Sequence, residues 1–323
     1  MPVLRGAVSA DKEEEGGQMI LVADIHLRRT VPRARKDDYL AAQERKFLTI
    51  CDAAVSSPPL VIAGDLFHTA RPGDYLEQFV ITAFRDRGIR AVLVPGQHDL
   101  PYHSYDYIDD SGVGVLQAAG VVDLVWDGCV EVGDHRICGC GYGVGLERLV
   151  VMLAQPSKLP IVAVAHRMVV ESAELWPGQV TEVGGALLRK MPQAACILNG
   201  DNHQSFMVST GEGVHKRFMV NPGSMMRMDK DQATHKPCYF RVGFGLCSVV
   251  ERFSLPIEQD VFVNERGGPT TVARSELDEF ISKLANGYEL GLSFEANLEE
   301  FLVSNNIDSA VRDIVWRAVH GDN

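Results

Sequence analysis

Five short polar clusters hold the residues of this chain best suited to chemistry, and each follows an apolar run. Met19-Ile20-Leu21-Val22-Ala23 leads into Asp24-Ile25-His26, and Leu60-Val61-Ile62-Ala63 into Gly64-Asp65-Leu66-Phe67-His68. Ala91-Val92-Leu93-Val94 leads, after Pro95, into Gly96-Gln97-His98-Asp99. Ile161-Val162-Ala163-Val164 precedes His166, and Ala195-Cys196-Ile197-Leu198 precedes Gly200-Asp201-Asn202-His203. Continuous apolar runs of this kind fit strands buried on both faces, as in parallel sheets. The carboxyl ends of such strands open on a common crevice. The runs therefore deliver Asp24, His26, Asp65, Gln97, His166, Asp201 and His203 to one place. Mixed carboxylate and imidazole ligands suit manganese, iron or zinc. There are enough of them for two divalent ions, with one carboxylate bridging. A single Asp-x-His or a single histidine reads more simply as a hydrogen-bonded core residue. The ordered series does not, because so many polar groups at buried strand ends are costly unless they are paired or serve a purpose.

The elements that must position these clusters are legible between them. Helical periodicity covers Asp38 to Val55, with Leu40, Phe47, Leu48, Cys51 and Val55 on one stripe. A second stretch runs from Gly73 to Arg87, with Leu76, Phe79, Val80, Ala83 and Phe84. Strand, helix, strand, helix, strand predicts a layered α/β sheet with right-handed crossovers. From Gly213 to Leu255 the strands lengthen and contain turns, which predicts antiparallel strands completing the sheet system. Residues 1–18 read as a loose, flexible tail. Residues 256–323 read as a small C-terminal module: a loop with Gly267-Gly268-Pro269, then helical stripes over 275–286 and 307–319.

The series resembles the calcineurin-like metallophosphoesterase superfamily, whose motifs run Asp-x-His, Gly-Asp-x-x-[Asp/His], Gly-Asn-His-[Asp/Glu], His and Gly-His-x-His. Gly64-Asp65-Leu66-Phe67-His68 and the turn Asn221-Pro222-Gly223-Ser224 resemble its DNA-repair nuclease branch, which contains the SbcD-like exonuclease subunits. The likeness spans residues 19 to about 255, a metallophosphoesterase (nuclease) domain. It implies an α/β fold, a four-layer α/β-β/α metallophosphoesterase sandwich, followed by a small, mainly helical cap or partner-docking module. It implies that Asp24, His26, Asp65 and His203 hold one metal ion, and Asp65, Gln97, His166 and Asp201 a second. His98 would act on the scissile phosphate or the leaving oxygen, Asp99 would orient His98, and His68 would stand at the substrate edge. The activity implied is hydrolysis of DNA by a metal-activated water, with a homodimer and an SMC-like ATPase subunit as partners.

Two positions depart from the family pattern. Gln97 stands where Asn is usual, so its amide oxygen sits one methylene further out. Asp201 stands where the first His of Gly-His-x-His is usual, which raises the carboxylates at the site from two to three and favours a hard ion such as Mn²⁺. Decay of the site into a non-catalytic scaffold is the reading these departures would serve, but retention of His98 speaks against it. A small-molecule phosphodiesterase or phosphatase of the same superfamily is the other alternative. A protein phosphatase would read Gly-Asp-x-x-Asp-Arg-Gly, whereas this chain has His68-Thr69-Ala70 in the last three positions.

Composition narrows the partners. The chain has 323 residues and a net charge of −12, which excludes a wholly basic nucleic-acid coat. A local basic run does follow the first cluster: Arg28, Arg29, Arg33, Arg35 and Lys36, uninterrupted by acidic residues. At the rim of the crevice it would neutralise nucleic-acid phosphates, and Arg71, Arg227 and Lys230 would join it. Tyr102, Tyr105 and Tyr107 could stack on bases, although packing within a loop is the simpler reading. His103, His135, His215, His235 and His320 have no motif context. No apolar run approaches the roughly 20 residues needed to cross a bilayer, and the polar N-terminus lacks a signal-peptide core. A cytoplasmic location, the host's if the chain is phage-encoded, is expected. The 7 cysteines are expected to be reduced, buried thiols, with Cys138 and Cys140 as strand residues and no zinc ligands.

Overall fold

A computed structural model describes residues 17–172, 182–245, 248–259, 261–263 and 312. The chain divides into two units, Met1–Val263 and Asn264–Asn323. Almost all of the predicted tail, the helical stripe over 275–286, and all of the stripe over 307–319 except Arg312 lie outside the described residues.

In the first unit the elements follow in order. The first half contains β1 (Gln18–Ala23), α1 (Tyr39–Ser56), β2 (Leu60–Ala63), α2 (Asp74–Arg85), β3 (Ala91–Val94), α3 (Gly112–Ala118) and β4 (Val122–Leu124). Next come β5 (Asp127–Val132), β6 (His135–Cys140), α4 (Leu146–Leu153), β7 (Ile161–His166), β8 (Val169–Val170), β9 (Glu182–Val183), α5 (Gly184–Lys190) and β10 (Cys196–Gly200). The last strands are β11 (Phe206–Thr210), β12 (Arg217–Asn221), β13 (Cys238–Phe244) and β14 (Ser248–Ser254). Both predicted helices form within two residues of their expected limits. The first begins at its cap, Asp38, whose carboxylate accepts from the Ala41 amide at 3.2 Å.

The strands make two six-stranded mixed sheets, ordered β14-β13-β1-β2-β3-β4 and β11-β12-β10-β7-β6-β5, with β8 and β9 as a separate pair. The five apolar runs therefore do not share one sheet. β1, β2 and β3 lie parallel in the first, and β7 and β10 lie parallel in the second. Antiparallel pairing was expected throughout 213–255. It holds for β13, β14 and the pairing of β12 with β11, but on its other side β12 runs parallel to β10.

Strand alternation explains why the runs are apolar on both faces. Ile20, Val22, Ile62 and Leu93 pack against Phe47, Ile50 and Cys51 of α1 and Val80 and Phe84 of α2. Their neighbours Leu21, Ala23, Val61, Ala63 and Val94 point the other way, onto Val162, Val164, Cys196 and Leu198 of the second sheet. The far face of that sheet is covered by Leu149 and Leu153 of α4 and Leu187 and Leu188 of α5. The result is four layers: helices, sheet, sheet, helices. A fully buried aliphatic side chain contributes roughly 1.5–3 kcal/mol, and three such cores fix both sheets relative to each other. Among the described residues no helix is long and apolar enough to cross a membrane.

Residues 255–263 return to this unit. Leu255 and Val261 are buried, the amide of Lys36 donates to Val261 O at 2.9 Å, and that of Val263 donates to Ala34 O at 2.8 Å. The buried Lys46 ammonium lies 2.8 Å from Glu258 Oε2.

The cysteine expectation needs one correction. Cys129 and Cys138 form a disulfide across the β5–β6 hairpin, where they stand directly opposite each other. Cys51, Cys140, Cys196 and Cys238 are buried free thiols, as expected.

Candidate metal centre

The five strand ends meet, three from one sheet and two from the other. Beyond β1 and β2 the backbones stay zipped together: His26 N donates to Asp65 O at 2.8 Å, Leu27 N to Leu66 O at 2.9 Å, and His68 N to Leu27 O at 3.0 Å. This places Asp24, His26, Asp65 and His68 side by side. The two sheets also converge here. His166 Nδ1, at the end of β7, bonds to Ala63 O of β2 at 2.8 Å. A Cβ on Gly64 would lie 2.1 Å from that imidazole, and a Cβ on Gly200 would lie 2.0 Å from Ala63 O. Only glycine allows this approach.

The backbone is strained where the ligands sit. Asp24, His26, Asp65 and Asp201 have φ of 49°, 51°, 53° and 84°. Left-handed non-glycine residues cost of order 1–3 kcal/mol each and concentrate at functional sites. The bonds around them hold the strain. Asp201 N donates to both carboxylate oxygens of Asp24 at 3.0 and 3.2 Å. The fully buried Asp99 accepts from the amides of Asp65 (2.8 Å), Gly96 (3.0 Å) and Phe67 (3.4 Å).

The side chains converge on Asp65. Its Oδ1 accepts from His98 N at 2.9 Å, which turns Oδ2 toward the crevice. That buried oxygen has no hydrogen-bond partner, and it lies 3.6 Å from His26 Nε2 and 3.5 Å from His166 Nε2. His26 and His203 face each other through their Nε2 atoms at 3.1 Å. On the other side Gln97 joins its neighbours, with Oε1 2.8 Å from His166 Nε2 and Nε2 3.1 Å from Asp201 Oδ1. The extra methylene of Gln97 is therefore accommodated, and its amide oxygen lies among the expected second-ion ligands.

Among the described residues three groups place ligand atoms within 4.8 Å of one another and could hold a metal ion: Asp24, His26 and His203; Asp24, Asp65 and His166; and His26, His68 and His98. Asp24 belongs to two of them, so it joins Asp65 as a carboxylate placed between the two halves, a role the sequence reading gave to Asp65 alone. His166 tests the fit. Its Nδ1 faces a carbonyl, and its Nε2 faces the Gln97 oxygen and Asp65 Oδ2. A carbonyl can only accept, so Nδ1 carries a hydrogen. A positive charge, proton or cation, then belongs at Nε2. With the orphaned Asp65 Oδ2, this fits a group of residues that could hold a metal ion.

The electrostatics agree. Burial pushes the Asp24 carboxyl up to about 8; nearby Asp65 and Asp201 reinforce the rise and His166 opposes it. Burial, then the Asp65 charge, raises Asp99 to about 7. Burial alone would raise Asp65, but His166, His26 and His98 outweigh it and hold it well below the usual carboxylate range. Burial would lower His166, but Asp65 overrides it and raises the imidazole to about 10. Burial lowers His26 and His203, and with the Arg28 charge it lowers His68 to about 4. The cluster thus combines crowded carboxylates with three imidazoles, His26, His68 and His203, held neutral, and one, His166, held toward its charged form.

Several expected roles change in detail. Asp99 does not orient the His98 ring; it braces the loop amides, and His98 Nδ1 bonds instead to His68 O at 2.9 Å. The His68 ring stacks on His98 with centroids 5.5 Å apart and is half-buried at the edge of the cluster. In the basic run, Arg29 is exposed and lies 4.2 Å over the Tyr75 ring, Arg28 bonds to Thr30, and Arg33 and Lys36 are exposed. Arg35 turns inward: it pairs with Asp37 at 2.6 Å and donates to Arg227 O. Arg227 is buried as well, with donors on Ala233 O and Glu258 O. Of the tyrosines, Tyr105 packs on Trp126 with rings 5.2 Å apart, whereas Tyr102 and Tyr107 are exposed. His135 and His235 are buried and bonded to backbone carbonyls.

Two supports were not foreseen. Gln232, on a loop far along the chain, donates from its amide to His203 Nδ1 at 3.2 Å, and its own oxygen is fixed by Met228 N at 2.6 Å. Asn199 and Asn221 bond to each other at 3.0 Å, and Asn221 reaches Asn202 O and Gln204 O at 2.6 and 2.7 Å. This amide ladder pins the loop that carries Asp201 and His203. The repeated Asn at the ends of β10 and β12 was the available signal for it; a lone Gln in a loop gave none.

No family model and no curated protein matches this chain. Solved structures do match. TT1561 of Thermus thermophilus is similar at 14% identity, with a TM-score of 0.44, over 74% of this chain and 99% of its own. Another crystal structure is similar at 11% identity, with a TM-score of 0.47, over 75% of this chain and 100% of its own. Likenesses this remote add no argument about the site, which rests on its own residues.

Proposed function

We propose that this chain is a dinuclear metal-dependent phosphodiesterase of the calcineurin-like kind, acting on DNA in the manner of the SbcD-like nucleases. The observation that carries the reading is Asp65 Oδ2, buried, without a hydrogen-bond partner and centred between His26 and His166. A bridging carboxylate between two cations would satisfy it. Asp24, His26 and His203 would hold one ion with Asp65; Gln97, His166 and Asp201 would hold the other. The carboxylate-rich set favours Mn²⁺. Such a pair would neutralise a phosphodiester and lower the pKa of a shared water.

The chain's own groups do the rest. His68 O accepts from His98 Nδ1, which fixes the tautomer and leaves Nε2 for the substrate. When it also carries a proton on Nε2, His98 would stabilise developing charge there or give that proton to the departing sugar oxygen, returning to the neutral ring. Asp99 keeps the loops of Asp65 and Gly96 in register, so it positions the site without touching substrate. Arg28, Arg29, Arg33 and Lys36 lie on the segment that leaves the site directly and would meet the phosphates beyond the scissile one. Arg35 serves the fold instead.

Labelled linear DNA with Mn²⁺, Mg²⁺ or Zn²⁺, run beside bis-p-nitrophenyl phosphate, tests this. Mn²⁺-dependent cleavage of both supports the reading. Cleavage of the small diester alone would keep the metal chemistry and remove the DNA assignment.

A further inference from the structure

The proposed function leaves the tyrosine-rich segment after Asp99 unused. The structure separates its three tyrosines. Tyr105 is a foundation: its ring stacks on Trp126, and its hydroxyl donates to Tyr142 O at 3.0 Å. Tyr102 is 76% exposed, and Tyr107 and Tyr142 are exposed too. Tyr102 and His103 both adopt left-handed backbone, with φ of 55° and 56°. Two consecutive strained residues that hold aromatic rings out in water gain nothing from burial, so the strain points to a use.

The rings form a sequence in space. Tyr107 meets Tyr102 edge-on, with centroids 5.4 Å apart. His103, next in the chain, lies 5.9 Å from the Tyr142 ring. Tyr142 in turn lines a cavity of about 390 Å³ whose other walls include His166 and Asp201 of the metal centre. An aromatic surface thus runs from the candidate second-ion ligands out to solvent. Asp106 and Asp109 lie on the same segment and are exposed, which disfavours a phosphate backbone along the outer part of this face, while Arg167 lines the cavity at its inner end. Flat aromatic faces beside carboxylates suit bases presented by their π-faces, and a duplex keeps those faces stacked inside.

We propose that Tyr142, His103, Tyr102 and Tyr107 form a stacking track for unpaired nucleobases leading to the metal centre, so that the preferred substrate is a single strand or a frayed end. The inference rests on the phosphodiesterase reading of that centre and names the form of nucleic acid it takes. Base–aromatic stacking supports an expected loss of roughly tenfold in affinity per ring removed.

The test is fluorescence anisotropy with labelled oligothymidylate and a duplex of equal length, in EDTA so that nothing is cut. Wild type is compared with Tyr142→Ala, Tyr102→Ala and Tyr102→Leu, the last keeping an apolar surface without a ring. The expected result is tighter single-strand than duplex binding, a roughly tenfold single-strand loss in each variant, and unchanged duplex binding. Equal losses on both forms, no loss in any variant, no single-strand binding by wild type, or a change of oligomeric state in place of affinity overturns the track. Mn²⁺-dependent turnover of bis-p-nitrophenyl phosphate, measured in parallel, reports on the metal centre separately: its absence defeats the phosphodiesterase reading whatever the anisotropy shows.

Discussion

The chain passes from the candidate metal centre into the basic run with scarcely a residue between, yet the two stretches follow different rules. Asp24 and His26 are 0% and 2% exposed, hold strained backbone and meet groups from the opposite sheet. Most of the basic run faces water, and its one buried member, Arg35, is spent on Asp37 and a carbonyl. Burial makes the difference. A buried polar group must be paired or serve a purpose, so residue type at a strand end is informative. An exposed charge costs little wherever it stands, so a run of arginines does not say which of them serves a ligand and which the fold.

The largest effect expected from this contrast is at Asp65. Asp65→Asn should lower phosphodiester turnover on the order of 10³-fold or more, because several kcal/mol of charge stabilisation would depend on the ions it is proposed to bridge. Steady-state kinetics with bis-p-nitrophenyl phosphate would read it; near-normal turnover would break the crevice half of the comparison. His98→Ala should cost roughly 10²–10⁴-fold in kcat while cation stoichiometry by calorimetry stays at the wild-type value. Loss of bound cation would make His98 a ligand instead.

Within the basic run the prediction is a split. Arg35→Ala should destabilise the fold by about 3 kcal/mol, since it leaves Asp37 and the Arg227 carbonyl without their partner. Arg28→Ala and Arg29→Ala should leave the denaturation midpoint unchanged and each reduce the salt slope of DNA binding by about 1. Equal stability effects at all three positions would erase the distinction between buried and exposed members of the run.

The shifted groups also give a pH signature. Asp24 and His166 have folded pKa values raised to about 8 and about 10. A raised folded pKa contributes stability below the unfolded pKa and loses it as pH rises through the folded value. In EDTA the melting temperature should therefore fall from about pH 7 to about pH 10. Saturating Mn²⁺ replaces the lost positive charge and should flatten the fall. Identical slopes with and without Mn²⁺ would mean that these groups do not face a cation.

What the sequence made legible follows the same division. The ends of β1, β2, β3, β7 and β10 stood out because an apolar run that stops at Asp or His is conspicuous. The partition of these strands between two sheets did not, since a run that is apolar on both faces carries no mark of its neighbour. β5 was missed because alternate residues along it are exposed, and with it the facing of Cys129 and Cys138 across its hairpin. The inward turn of Arg35 was hidden because its charge looks the same whether it meets water or Asp37. Gln232 was hidden because its partner, His203, is brought near only by the fold.

The most direct test of the central claim is Mn²⁺ stoichiometry measured on the purified chain by calorimetry, together with turnover of bis-p-nitrophenyl phosphate in the same sample. The account predicts two ions per chain, turnover that rises with their occupancy, and loss of both in Asp65→Asn. A chain that binds no Mn²⁺, or binds it equally well in Asp65→Asn, would contradict it.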